Sequence, residues 1–181
     1  MPTGQVARPT LALEVVLTDP DHIVGTWRNV FLCMWRRETH AKAILGLKPV
    51  IQRLKTANPA GVAMLTVVEP NADLPTPQAR EELPKLFKEV AKGIACSALV
   101  FEGVGFRAAA IRALTTTFNM VASQPFPHKV FANIHDAEAM FMNHLPASAR
   151  GEKLQKGELV LAANQFRLRF DAATSETKLA R

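Results

Sequence analysis

One hexapeptide has the spacing of a phosphate cradle. Gly103-Val-Gly-Phe-Arg-Ala108 fits G-x-G-x-x-[G/A], after an apolar run and before a helical pattern. Glycines so placed bare backbone N–H groups to a phosphate at a helix N-terminus. Three features pull against a nucleotide. Glu102 puts a negative charge beside the supposed phosphate. The motif falls at the third of four strand–helix units, which leaves one strand for the second half of a dinucleotide fold. No acid stands about 20 residues on, where the ribose would need it; the nearest is Asp136. Gly103 and Gly105 therefore read first as a tight strand-to-helix turn, with nucleotide binding kept as the third function.

The other chemistry-bearing residues are scattered. His128, His135 and His144 are seven and nine residues apart, so they share no i, i+4 face for a metal, and His22 and His40 stand alone at element ends. Cys33 and Cys96 lie within apolar runs, as packing residues, and form no disulfide framework. Ser97 falls in the same buried stretch as Cys96, without the G-x-S-x-G elbow of a nucleophile. The carboxylate pair Glu81-Glu82 is adjacent on a helix, where side chains diverge by about 100°. The expectation is a protein without catalytic residues, cofactor or metal.

The elements follow from periodicity. Residues 11–17, 22–27 and 30–35 are β-favourable and broken by short polar turns, an antiparallel meander. Over 39–56 the apolar positions Ala43, Ile44, Leu47, Val50, Ile51 and Leu54 recur every three or four residues, one helical stripe with Thr39 as N-cap and a kink expected near Leu45. Residues 61–68 and 94–101 read as strands buried on both faces. Thr76 and Pro77 read as N-cap and first position of a second helix. A third helix over 106–123 carries Phe106, Ala110, Ala113, Leu114, Thr117 and Val121 toward the sheet, with Ile111, Phe118 and Ala122 on a neighbouring strip. A short strand over 128–133 and a fourth helix over 135–145 complete an α/β order with a largely parallel half.

After Pro146 the composition changes. Residues 147–157 read as a linker, and 158–163 and 165–170 as a β-hairpin, because Phe166, Leu168 and Phe170 alternate with Arg167 and Arg169. The expected division is a flexible start over 1–10, an α/β domain over 11–146, and a linker with hairpin extension over 147–181. An isolated hairpin is marginal in water, so those three apolar side chains need a partner surface.

The 181-residue chain carries a net charge of +6, and the excess is local: seven basic residues and one acid lie between Arg28 and Lys55. Such a field attracts acidic partners; the competing reading is a solvated helix face. Nucleic acid is not expected, because no nucleic-acid-binding motif accompanies the charge. No apolar run approaches the ~20 residues of a membrane span and the start lacks a leader pattern, so a cytoplasmic location is expected.

Over about 21–145 the order of elements resembles the STAS (SpoIIAA-like) family, through Trp27-Arg-Asn-Val-Phe-Leu-Cys-Met-Trp, Gly61-Val-Ala-Met-Leu-Thr-Val-Val-Glu-Pro, and Ala98-Leu-Val-Phe-Glu-Gly-Val-Gly-Phe followed by Pro125-Phe-Pro-His-Lys-Val-Phe. The resemblance implies a STAS-like mixed sheet and a non-enzymatic interaction module, regulatory and homo-oligomeric or bound to a protein partner. Its bacterial members are switched by phosphorylation of a serine or threonine before the second helix. The matching turn here holds Asp73 and no serine, leaving Thr76 as a weak phosphorylation candidate. The partner-binding residues expected are Arg36, Arg37, Lys48, Lys55, Ile111, Phe118, Phe166, Leu168 and Phe170. The alternative function is carriage of a small apolar or lipid ligand.

Overall fold

The computed structural model describes residues 12–102 and 124–179. Its elements are β1 (Leu13–Thr18), β2 (His22–Trp27), β3 (Val30–Trp35), α1 (Ala41–Ala57), β4 (Val62–Val68), α2 (Pro77–Val90), β5 (Ile94–Phe101), β6 (His128–Phe131), α3 (Ile134–His144) and α4 (Glu158–Leu179). The six strands form one sheet in sequential order. β1, β2 and β3 pair antiparallel, then β3 through β6 pair parallel. This is the expected α/β class with an antiparallel meander. The expected third helix lies outside the described residues.

Every residue of β2 and β3 is buried, because the sheet is covered on both faces. One face meets α1 and α2 through Val24, Phe31, Cys33, Val62 and Met64. The other meets α3 and α4 through Ile23, Trp27, Leu32, Leu65 and Ala98. A one-residue slip between the pairs Val62–Ile94 and Ala63–Cys96 reverses the facing of β5. Ile94 therefore packs with α1 and α2, Cys96 packs on the opposite face, and from Met64–Ser97 onward the two strands run in step again.

α1 is one continuous helix that contains Pro49. Its N-cap position is His40, not Thr39. Thr39 is buried, and its carbonyl accepts the Thr76 N–H at 3.1 Å. Thr76 caps α2 as expected, its hydroxyl accepting the Ala79 N–H at 3.2 Å.

The C-terminal segment departs from expectation: where a hairpin was predicted, residues 158–179 form the helix α4. The alternation of Phe166, Leu168 and Phe170 suits a strand, but Leu159, Ala162, Ala163, Phe166 and Phe170 also fall at three- and four-residue spacing, and all five are fully buried in the core. Leu168 points away, at 67% exposure. Phe166 and Phe170 are thus core residues and not a partner surface. The buried carboxylate of Glu138 on α3 accepts the N–H groups of Gly157 (2.8 Å) and Leu159 (3.0 Å), satisfying donors that a helix start leaves unpaired.

The β2–β3 turn bolts down the same helix start. Arg28, in the left-handed region at φ 52°, donates to both oxygens of Glu158 at 2.7 and 2.8 Å. This hydrogen-bonded pair holds the Glu158 carboxyl below its ordinary range. The residues before α4 are tied in as well: Asn29 donates to the Pro146 carbonyl, and the Ala149 N–H donates to Asn58.

Urea denaturation separates helix from hairpin. Phe166→Ala and Phe170→Ala should each cost about 3–5 kcal/mol, while Leu168→Ala should stay within about 0.5 kcal/mol. Equal losses at all three positions would contradict the helical facing.

Candidate functional site

The in-step pairing beyond the slip builds the floor of a cavity. Met64, Ser97 and His128 are successive register partners across β4 to β6, and Trp35, Val68 and Phe101 close the carboxyl ends of β3 to β5. Over this floor α2 lays Leu83, Pro84, Leu86 and Phe87, α1 supplies Ile44 and Leu47, and the loop before α2 adds Leu74 and Pro75. Its volume is about 170 Å³, and it is open in part to solvent. Among the described residues its walls are largely apolar, with Thr39, Thr66, Ser97, Gln124 and His128 as polar points and the exposed Asp73 and Arg80 as the charged ones.

His128 is the unusual group. Its Nδ1 is buried with no hydrogen-bond partner among the described residues. Its ring meets Phe87 edge-on at 5.3 Å, and Phe87 in turn packs on Phe126 at 6.5 Å. Burial pushes the imidazole down to about 4, so it is neutral at ordinary pH.

On the other side of the sheet the residues that follow β3, β4 and β5 form an ionic row. Arg36 donates to both oxygens of Glu69 (2.8 and 3.0 Å) and to Asp171 (2.6 Å), with its guanidinium 3.9 Å over the Phe170 ring. Arg167 donates to both oxygens of Glu102 at 2.7 Å. The row ties α4 across the strand ends.

No family model matches the chain, and no curated protein matches it. Among solved structures it is similar to a crystal structure of an uncharacterized protein from the DUF3478 family with a SpoIIAA-like fold, from Shewanella loihica PV-4, at 14% identity. The match covers 72% of this chain and 92% of that one, with a TM-score of 0.45. The α/β class of this chain rests on its own strands and helices.

The expected partner-binding residues do not form one surface. Arg36 is committed to Glu69 and Asp171. Lys48 pairs with Glu89 at 2.8 Å and Lys55 donates to the Val90 carbonyl at 3.0 Å, so both join α1 to the end of α2. Arg37 is exposed. Leu168 is exposed on α4, Phe166 and Phe170 are buried, and Ile111 and Phe118 lie outside the described residues. So do Gly103 and Gly105. Glu102, taken from the sequence as a bare charge next to them, is paired with Arg167. The sequential strand order also lacks the reversal at which dinucleotide folds open their crevice. Thr76 uses its hydroxyl as a helix cap.

Sequence reasoning weighed His128 only as a metal ligand and missed the cavity. The available signal was the apolar set Leu83, Leu86 and Phe87 lying over two strands that also carry Ser97 and Thr66.

The depressed imidazole fixes a pH dependence. Unfolded, His128 titrates near 6.5; folded, near 4. Between those values the unfolded chain binds a proton that the folded chain refuses, so stability falls as pH drops through this window, by up to about 3 kcal/mol from this group. Comparing urea midpoints at about pH 7 and about pH 4.5, wild type should lose more stability on acidification than His128→Leu. Equal losses would rule out a buried neutral imidazole.

Proposed function

We propose that this chain is a non-enzymatic binding module of STAS-like element order that holds a small apolar molecule between α2 and the parallel half of its sheet. The cavity of about 170 Å³ carries the reading. Its lining is largely apolar, so an occupant with apolar surface removes that lining from water, and apolar cavities of roughly 150 Å³ accept benzene. The non-enzymatic part is supported by the thiols: Cys33 and Cys96 are buried and pushed up, Cys96 to about 12, so neither supplies a thiolate nucleophile.

Toluene at about ten times its dissociation constant should stabilise the protein by about 1.4 kcal/mol, a rise in Tm of roughly 3 °C. Leu99→Phe, which fills the cavity from its floor, should remain folded and show no such rise. An unchanged wild-type Tm would sink the reading.

A second reading is self-association. It is favoured by Leu161 and Leu168, 46% and 67% exposed and seven residues apart on the outer face of α4. If a second copy covers that face, light scattering should give a multimer for wild type and a folded monomer for Leu161→Lys/Leu168→Lys. A monomeric wild type would dismiss it.

A further inference from the structure

Resting on the reading of the cavity as a ligand site, we propose that its occupant is a small carboxylic acid bound as the anion, with an apolar body inside the cavity and its carboxylate at the rim beside Arg80. The lining changes character from floor to rim. Met64, Ser97 and Ala98 on the floor are at most 2% exposed, whereas Leu74 is 49% exposed and Asp73 and Arg80 are exposed as well. These last three lie on the loop before α2 and near the start of that helix, so the charged part of the lining is the part that meets solvent. A ligand seated there buries its apolar body and keeps its ionic group in water, which avoids the penalty on a charge taken into an apolar interior.

The charge left over at the rim is positive. Asp73 is already partnered, whereas the Arg80 side chain has no hydrogen bond or ion pair among the described residues. Arg28, Arg36 and Arg167, by contrast, are each tied to a carboxylate. Arg80 is the fourth residue of α2, whose first turn holds no acid. A cation near a helix N-terminus opposes the helix dipole, so this arginine does not serve its own helix. Dipole and guanidinium instead add to one positive field, which favours an anion. Of the acids that follow, Glu82 pairs with Lys85 at 2.8 Å, and Glu81 projects about 100° away from Arg80 around the helix. A carboxylate suits arginine in particular, because its two oxygens match the planar fork of the guanidinium. Size sets the rest of the ligand. About 170 Å³ holds one ring or a short branched chain, since roughly 150 Å³ accepts benzene.

Calorimetric titration at about pH 7 with toluene, p-toluate and 4-methylbenzylamine, which share a methyl-substituted ring and differ in charge, tests this. In wild type, p-toluate should bind about fivefold more tightly than toluene, and the amine more weakly than p-toluate. In Arg80→Gln, a change at an exposed position, the advantage of p-toluate over toluene should be lost. Salt gives a second readout that needs no variant: in wild type the same advantage should shrink as ionic strength rises to about 1 M, where charges are screened beyond ~3 Å. Toluene binding as tightly as p-toluate, the amine binding tightest, or an advantage of p-toluate that persists in Arg80→Gln or is unmoved by salt would overturn the carboxylate assignment and leave the cavity reading standing. No binding by any of the three would remove both.

Discussion

The ring of Phe166 lies directly on the backbone of β2, and the rest of the molecule is arranged around that contact. Gly25 makes it possible. A Cβ there would come within 2.7 Å of the Phe166 ring and 2.3 Å of the Glu14 carbonyl, distances that no side chain tolerates. With the strand bare at this point, α4 seats close enough to bury Phe166 and Phe170 completely. One face of the sheet is thereby sealed by aromatic rings, and the cavity lies on the other, under α2. One face is packed shut, and the other holds both a second buried cluster and the cavity.

The charge distribution serves the same division. The basic excess between Arg28 and Lys55 looks in sequence like an outward-facing field. In three dimensions Arg28 reaches Glu158, Arg36 reaches Glu69 and Asp171, Lys48 reaches Glu89, and Arg53 reaches Glu14. Acids distant along the chain meet the local surplus. The exposed pair Arg53–Glu14 contributes little by itself. The bidentate arginines are the stronger ties, because a planar guanidinium engages both carboxylate oxygens at once.

How far the sequence could be read depended on whether a pattern had one interpretation. β2, β3 and β5 have the predicted bounds, since their apolar runs stop at turn residues, and the Thr76-Pro77 helix start is local chemistry that tertiary packing does not alter. The C-terminal segment has two interpretations. Phe166, Leu168 and Phe170 satisfy a period of two, while Leu159, Ala162, Ala163, Phe166 and Phe170 satisfy 3.6. The alanines decide for the helix, yet small residues count weakly in a hydrophobic pattern until a ring is known to pack beside them. The cavity was illegible for another reason. Its lining comes from separate strands, two helices and a loop, and only the sheet register brings Met64, Ser97 and His128 into line.

The hydrogen bonds that fasten α4 join positions far apart in the chain: Arg28 to Glu158, and Arg169 to the carbonyl of Leu13. On a ribosome adding ~5–20 residues per second, the strands are made on the order of ten seconds before the helix that covers them. Until then the face that carries Ile23, Trp27 and Leu32 lacks Leu159, Phe166 and Phe170, which share its core. Of the described elements α4 is the last to be made, so the face it packs on is the last to be completed.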